Sequence, residues 1–199
     1  MVVKPLRGSA SLGVHFCRGI EDVLAHFEDI TNTPDFFGTR IPAMALQEWA
    51  LGTEYIVNTV SRAGKHALTD IWEYHKVSVG VHGNAYEYAR LVRTPQSLIG
   101  ELLAYTRAVL TALGIEWGAA HTEIMLTAQG PRLIETAARP MGGFFPRHIL
   151  QECLGYDLFA ADLDAYLDES RFKSLLNAPY APQKAALLKL FITPQEMPL

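Results

Sequence analysis

The chain has 199 residues, 49% of them hydrophobic, with a formal net charge of -4 and two cysteines. That apolar content is enough for a buried core and argues against disorder, while the acidic balance lacks the basic footprint that a nucleic-acid backbone demands. Cys17 and Cys153 lie far apart with no CxxC spacing and no apolar run approaches the roughly 20 residues that span a bilayer, so we expect a soluble, cytoplasmic protein without disulfides, a thiolate zinc site or a membrane partner.

Residues 1–4 and 14–17 read as two strands around a polar Gly/Ser loop, a hairpin. An opening strand with no turn or cap before it leads us to expect a fragment of a longer protein. A helix follows, with Val23, Leu24, Phe27 and Ile30 at three- and four-residue spacing and Thr33 and Pro34 ending it. Residues 41–49 form a further strand. Gly52 then breaks the chain and is the expected boundary between a small lobe, residues 1–51, and a larger one, residues 52–199. Residues 55–61 and 66–74 flank Arg62-Ala63-Gly64-Lys65, a four-residue hairpin connection containing glycine, and residues 86–92 add a strand. Thr94 and Pro95 offer an N-cap and a first-turn proline to a helix with the apolar stripe Leu98, Leu102, Val109 and Leu113, closed by Gly114. Strands at 118–126 and 132–137, helices at 146–154 and 158–167 and a last strand at 185–192 complete an α+β chain.

The strands at 118–126 and 132–137 carry the chemistry. If Thr127 pairs with Pro131, the loop is Ala128-Gln129-Gly130, with glycine at the left-handed position, and Glu123 faces Glu135. Directly opposed residues have Cβ atoms roughly 5 Å apart, so two carboxylates there repel unless a cation lies between them. Magnesium, which takes one or two protein carboxylates and completes its shell with water and phosphate, is the natural partner and implies an ATP site. His121 shares the alternating face, so a His121/Glu123/Glu135 zinc site of a metal-dependent hydrolase is the rival, and a merely solvated acidic strand is the third reading. Arg139, followed by Pro140, Met141, Gly142 and Gly143, either neutralises transition-state charge or simply pairs with Glu135.

Two other stretches suit a nucleotide. Lys4 ends a strand ahead of a loop containing Gly8, Ser9, Ala10 and Ser11, whose bare N–H groups and hydroxyls can wrap phosphates, although the same residues serve ordinary turns. Gln47, Glu48, Trp49 and Ala50 lie at the lobe boundary, where backbone groups can read an adenine edge, and Glu54 can accept from ribose hydroxyls. Trp72, Tyr74, His75 and Lys76 are also suggestive of a substrate pocket, but an aromatic strand is more often core or edge packing.

Taken in order, Val3-Lys4-Pro5, the 8–13 loop, Gln47-Glu48-Trp49 with Gly52 and Glu54, His121-Thr122-Glu123 and Ile134-Glu135 to Arg139 resemble the ATP-grasp superfamily. Glu135-Thr136-Ala137-Ala138-Arg139-Pro140 with Gly142-Gly143 is similar to the signature of its carboxylate–amine ligases of the L-amino-acid ligase and carnosine-synthase kind. The resemblance implies an ATP-grasp fold, two α+β lobes with nucleotide in the cleft, and ATP-dependent amide or peptide bond formation through an acyl-phosphate. It assigns ATP phosphates to Lys4 and the Gly8, Ser9, Ala10, Ser11 loop, adenosine to Gln47, Glu48, Ala50 and Glu54, magnesium (or manganese) to Glu123 and Glu135, and the reacting intermediates to Arg139. Ala137 stands where many relatives place an asparagine, and the family's N-terminal domain with its earlier phosphate-binding lysine lies upstream of the Lys4 strand. Carboxylate and amine substrates, amino acids above all, are the implied partners; a homodimer is admitted, and a non-catalytic ATP-binding remnant is the alternative.

Overall fold

The computed structural model describes residues 1–6, 13–32, 34, 38–41, 43–78, 84–142 and 146–191. The chain divides into two compact units, Met1–Ala50 with Ser78–Ala85, and Leu51–Val77 with Tyr86–Leu199.

In the first unit β1 (Val2–Pro5) lies between β2 (His15–Phe16) and β3 (Met44–Gln47) in a three-stranded antiparallel sheet. Alternation along β1 turns Val3 into a cluster with Cys17, Val23 and Ile30, the last two from α1 (Ile20–Asn32). The buried stripe of α1 is narrower than its apolar spacing suggests, since Leu24 and Phe27 are 58% and 45% exposed. At about 100° per residue Val23 and Ile30 are ~20° apart around the helix, whereas Leu24 is ~100° from Val23. A sheet of three short strands covers only the narrower arc.

The second unit is built on a six-stranded sheet ordered β8-β7-β4-β5-β6-β9. Its strands are β4 (Gly52–Arg62), β5 (Lys65–Ser78), β6 (Asn84–Leu91), β7 (Gly118–Thr127), β8 (Gly130–Ala137) and β9 (Leu187–Lys189). Gly52 opens β4 instead of breaking the chain: a Cβ there would meet the Leu126 carbonyl oxygen at 2.0 Å, so glycine lets β4 close against β7. The β4–β5 connection is two residues, not four, because Arg62 pairs with Lys65 and Ala63 and Gly64 both take positive φ, 48° and 72°. Such a turn carries the twist of the flanking strands and lets both run on.

Helix α2 (Gln96–Ala112) buries Ile99, Leu102, Thr106 and Leu110, a stripe displaced from the expected one, and leaves Leu113 56% exposed. Thr106 hides this stripe in the sequence; its hydroxyl donates to the Leu102 carbonyl, 2.8 Å, and is therefore buried without cost in unmet bonds. Pro95 is the cap residue and no side chain caps the helix, so Thr94 does not act as the N-cap, while Gly114 closes the far end at φ 67°. Helices α3 (Arg147–Leu154) and α4 (Leu158–Leu167) lie at their expected places. A further helix, α5 (Glu169–Asn177), was not apparent from periodicity because only Phe172 is buried; Asp168 caps it by accepting from the Arg171 N–H.

The sheet separates two helical layers. Tyr55, Val57, Leu68, Ile71 and Ile124 pack with Ile99 and Leu102 of α2 on one face. Ile56, Trp72, Ala89 and Leu91 pack with Leu150, Cys153 and Leu154 of α3 on the other, where Val60 and Ala67 meet Ala165 of α4 and Phe172 of α5. Burying both faces fixes the register, since a one-residue slip would exchange every side chain between layers. Among the described residues no helix is long and apolar enough to cross a membrane.

Candidate functional site

The register writes the site as rows across the sheet. On the α3-facing side one row is Glu135, Glu123, Ile56 and Trp72; the next is Ala137, His121, Asn58 and Asp70; on the other flank Glu54 pairs with Met125 and Tyr74. Glu123 thus stands directly opposite Glu135. The route to that pairing differs from the expected one. Thr127 pairs with Gly130, so the loop is Ala128-Gln129, two residues rather than three, and a bulge at Ile134 makes up the missing residue between Leu133 and Glu135. The Leu133 N–H beside the bulge donates to the Tyr105 hydroxyl of α2, 2.9 Å.

Glu54 is 8% exposed, as is Glu123, and Lys76 lies 2.7 Å from each of the Glu54 carboxylate oxygens. Burial pushes the Glu54 carboxyl above its usual range; Lys76 opposes this, and the charges of Glu123 and Glu135 add to it. Burial works against the Lys76 ammonium, but Glu54, Tyr86 and Glu123 outweigh it and hold that group above its ordinary value. Lys76 Nζ also sits 4.5 Å from the Tyr86 ring centroid, itself edge-on to Tyr74 at 4.6 Å. The Tyr74 phenol is pushed up by burial, then by Glu123, Tyr86 and Glu54, against the pull of Arg139. Three carboxylates and two cations therefore share one patch of the second unit. Arg139 is exposed, with Nη1 donating to the Pro140 carbonyl at 2.9 Å.

Behind Glu123 runs a buried chain of polar groups. His121 presents Nε2 to Glu123 Oε1 at 3.3 Å and Nδ1 to Asn58 Oδ1 at 2.9 Å. Asn58 Nδ2 donates to Asp70 Oδ1, which also accepts from Trp72 Nε1, both at 2.5 Å, while Thr69 Oγ1 donates to Asp70 Oδ2 at 2.9 Å. Burial raises the Asp70 carboxyl, and its bonds from Asn58, Thr69 and Trp72 oppose that rise.

In the first unit Val2 pairs with Gln47 and Lys4 with Ala45, so Lys4 and Gln47 share the sheet face opposite Val3. Glu48 is exposed and Ala50 half-buried, and the Trp49 ring lies 5.0 Å from that of Phe16. Gly8, Ser9, Ala10 and Ser11, like Gly143, fall outside the described residues.

The family model of the ATP-grasp domain matches residues 1–146. The chain belongs to the ATP-grasp family. Over 172 residues it is 34% identical to dapdiamide A synthase of Enterobacter agglomerans, a match covering 86% of this chain and 40% of that protein. The L-amino acid ligase of Bacillus licheniformis has the same fold over 94% of this chain and 43% of its own, with a TM-score of 0.72 at 20% identity. N5-carboxyaminoimidazole ribonucleotide synthetase of Thermus thermophilus shares it over 94% and 45%, with a TM-score of 0.63 at 17% identity. The chain spans less than half the length of each of these relatives.

Among the described residues no group of three or more His, Cys, Asp or Glu side chains is placed to hold an ion, which holds for the His121/Glu123/Glu135 zinc set and for a three-carboxylate set alike. Both nitrogens of His121 are turned to protein partners. Glu54, read from sequence as a ribose acceptor, is engaged by Lys76 beside the facing glutamates. Lys76 lies beside the facing glutamates and Asn58 and Asp70 in the buried chain behind Glu123, and the sequence reading assigned none of the three to the site. Their signal was available, since Asp70, Trp72, Tyr74 and Lys76 recur at period two and put two charges on a face that packing alone would make apolar.

Proposed function

We propose that this chain is the nucleotide- and magnesium-binding portion of an ATP-dependent ligase that joins a carboxylate to an amine, amino acids being the substrate class. The observation that carries the reading is the direct opposition of Glu123 and Glu135, with Glu54 close enough to feel both charges. Such an all-oxygen set with repelling charges fits a hard divalent ion, magnesium or manganese, held by Glu123 and Glu135. When bound, the metal neutralises phosphate charge. The names of two relatives, dapdiamide A synthase and L-amino acid ligase, support the substrate class.

The remaining roles follow from residue chemistry. Lys4 and the Gly8, Ser9, Ala10, Ser11 loop bind phosphates, and Gln47, Glu48, Ala50 and Glu54 contact adenosine. Glu54 holds Lys76, whose ammonium is kept charged beside the carboxylates and suits an incoming anionic oxygen. Arg139, exposed next to Tyr74, steadies the negative charge that builds as the carboxylate is activated as its acyl-phosphate and the amine attacks. Free Cys17 and Cys153, both buried, accord with a cytoplasmic protein.

The test is ADP release from ATP and magnesium across a panel of amino-acid pairs, with Glu135→Ala and Arg139→Ala as controls. Release that depends on two amino acids and is lost in both variants supports the ligase. Unchanged turnover in both variants removes this mechanism, and a rise in melting temperature with ATP and magnesium but no ADP release assigns a non-catalytic binding module instead.

A further inference from the structure

Residues 138–142, which follow β8, carry Arg139 outside any helix or strand. The Arg139 N–H turns back to the Ala137 carbonyl, 2.9 Å, so the chain leaves the ladder there. The guanidinium then lies along its own segment: Nη1 donates to the Pro140 carbonyl at 2.9 Å and stands 3.6 Å from where a Cβ on Gly142 would be. Pro140 and Gly142 flank Met141, so whatever fixes Met141 also fixes the support of the guanidinium. Met141 does reach the sheet. Its Sδ accepts from Asn58 Nδ2 at 3.4 Å, and Asn58 lies on β4, two strands in from β8 along the row Ala137, His121, Asn58. Met141 is half-buried against the cluster of Ile56, Trp72 and Leu150, which also takes in Tyr74, and the Arg139 charge reaches the Tyr74 phenol. The fit on Asn58 is chemical as well as spatial. A primary amide nitrogen carries two hydrogens, and in Asn58, which is buried, one goes to Asp70 Oδ1 and the other to Met141 Sδ. A buried N–H left unmet is costly, so an aliphatic residue at 141 would leave Asn58 short of an acceptor. Methionine supplies one on an unbranched, adaptable side chain.

We propose that Met141 is a positioning residue for Arg139: seated on Asn58, it pins residues 138–142 to the sheet and so sets the exposed guanidinium beside Tyr74. This rests on the reading of Arg139 as the group that steadies the reacting intermediates. Met141 acts through Arg139 and needs no contact with ATP or substrate. Stabilising charge in a transition state depends on where the opposing charge is held, and a misplacement of about 1 Å can cost roughly 100-fold in rate. A long exposed side chain has many rotamers to lose. Holding its backbone, and the carbonyl it leans on, removes part of that freedom before substrate arrives.

The experiment reads the order of Arg139 and turnover separately in Met141→Ala, Met141→Leu and Met141→Gln, with a thermal melt of each. Order is read by nuclear magnetic relaxation of the Arg139 Nε–H group, assigned through Arg139→Lys, and turnover is ADP release from ATP, magnesium and amino acids. Met141→Ala and Met141→Leu give Asn58 no acceptor; they are expected to free the Nε–H group and to lower kcat on the order of 10- to 100-fold at unchanged KM for ATP. Met141→Gln offers an oxygen to the same N–H and is expected to match the unaltered chain in both readouts. A merely space-filling Met141 predicts a lower melting temperature with the Nε–H group as ordered as before, and that result in Met141→Leu overturns the anchor. Loss of Arg139 order in Met141→Gln overturns the seat on Asn58. The relaxation arm needs no turnover and so decides the anchor by itself. A freed Nε–H group with full turnover in Met141→Ala overturns the positioning role alone, whereas undiminished ADP release in Arg139→Ala overturns the reading of Arg139 and the positioning with it.

Discussion

Replacing Glu135 with Gln should make the ligand-free protein more stable and the ligand-bound protein less so. Opposed residues on paired strands have Cβ atoms roughly 5 Å apart, where two like charges repel by ~0.8 kcal/mol in water-like surroundings and ~3 kcal/mol at an effective dielectric near 20. Glu123 is 8% exposed, but Glu135 is open to solvent, which keeps the repulsion towards the lower figure, about 1 kcal/mol. For a chain of this size that corresponds to a melting temperature higher by about 2–4 °C without ligand. Saturating ATP and magnesium at about 100 times the dissociation constant adds ~2.7 kcal/mol to the unaltered protein, and the variant, lacking a metal carboxylate, should gain little of it. The two melting curves therefore exchange order on adding ligand, which differential scanning fluorimetry reads directly. A variant that is less stable without ligand, or that gains as much from ATP and magnesium as the parent, refutes the reasoning.

Lys76→Met leaves Glu54 buried beside two further carboxylates; losing one partner of a buried pair costs ~3–5 kcal/mol, reduced here to about 2–3 kcal/mol because the Lys76 side chain is 22% exposed. Urea unfolding should show that loss, and adding Glu54→Gln should restore most of it; no recovery in the double variant would mean the pair is not coupled. Asp70 supplies a pH signature. Its carboxyl is raised in the fold, so between its unfolded and folded titrations the native state binds the extra proton and stability falls as pH rises. Asp70→Asn should lose that part of the fall, measured as melting temperature against pH from the acid range to neutrality, and an unaltered profile would count against it.

Much of the fold was legible because its elements repeat simple periods. The amphipathic helix after Pro95, the hairpin around Ala63-Gly64 and the facing glutamates all follow from spacing, and the order of motifs pointed to the family. What spacing could not show was geometry set by single residues. The bulge at Ile134 cancels a turn one residue shorter than expected, Thr106 poses as a polar interruption in a buried stripe, and α5 buries too little to register as amphipathic. Asp70 and Asn58 were overlooked for a related reason, since 12 residues separate them in sequence and only the β4–β5 register makes them partners.

The extra residue at Ile134 has a mechanical meaning. It acts as slack in the ladder, placed between the hairpin tip and the two carboxylates, and the Tyr105 hydroxyl takes up an N–H beside it. Lengthening the tip by one residue while deleting Ile134 would leave both glutamates abreast, so the tip can vary in length and composition without the chemistry having to follow.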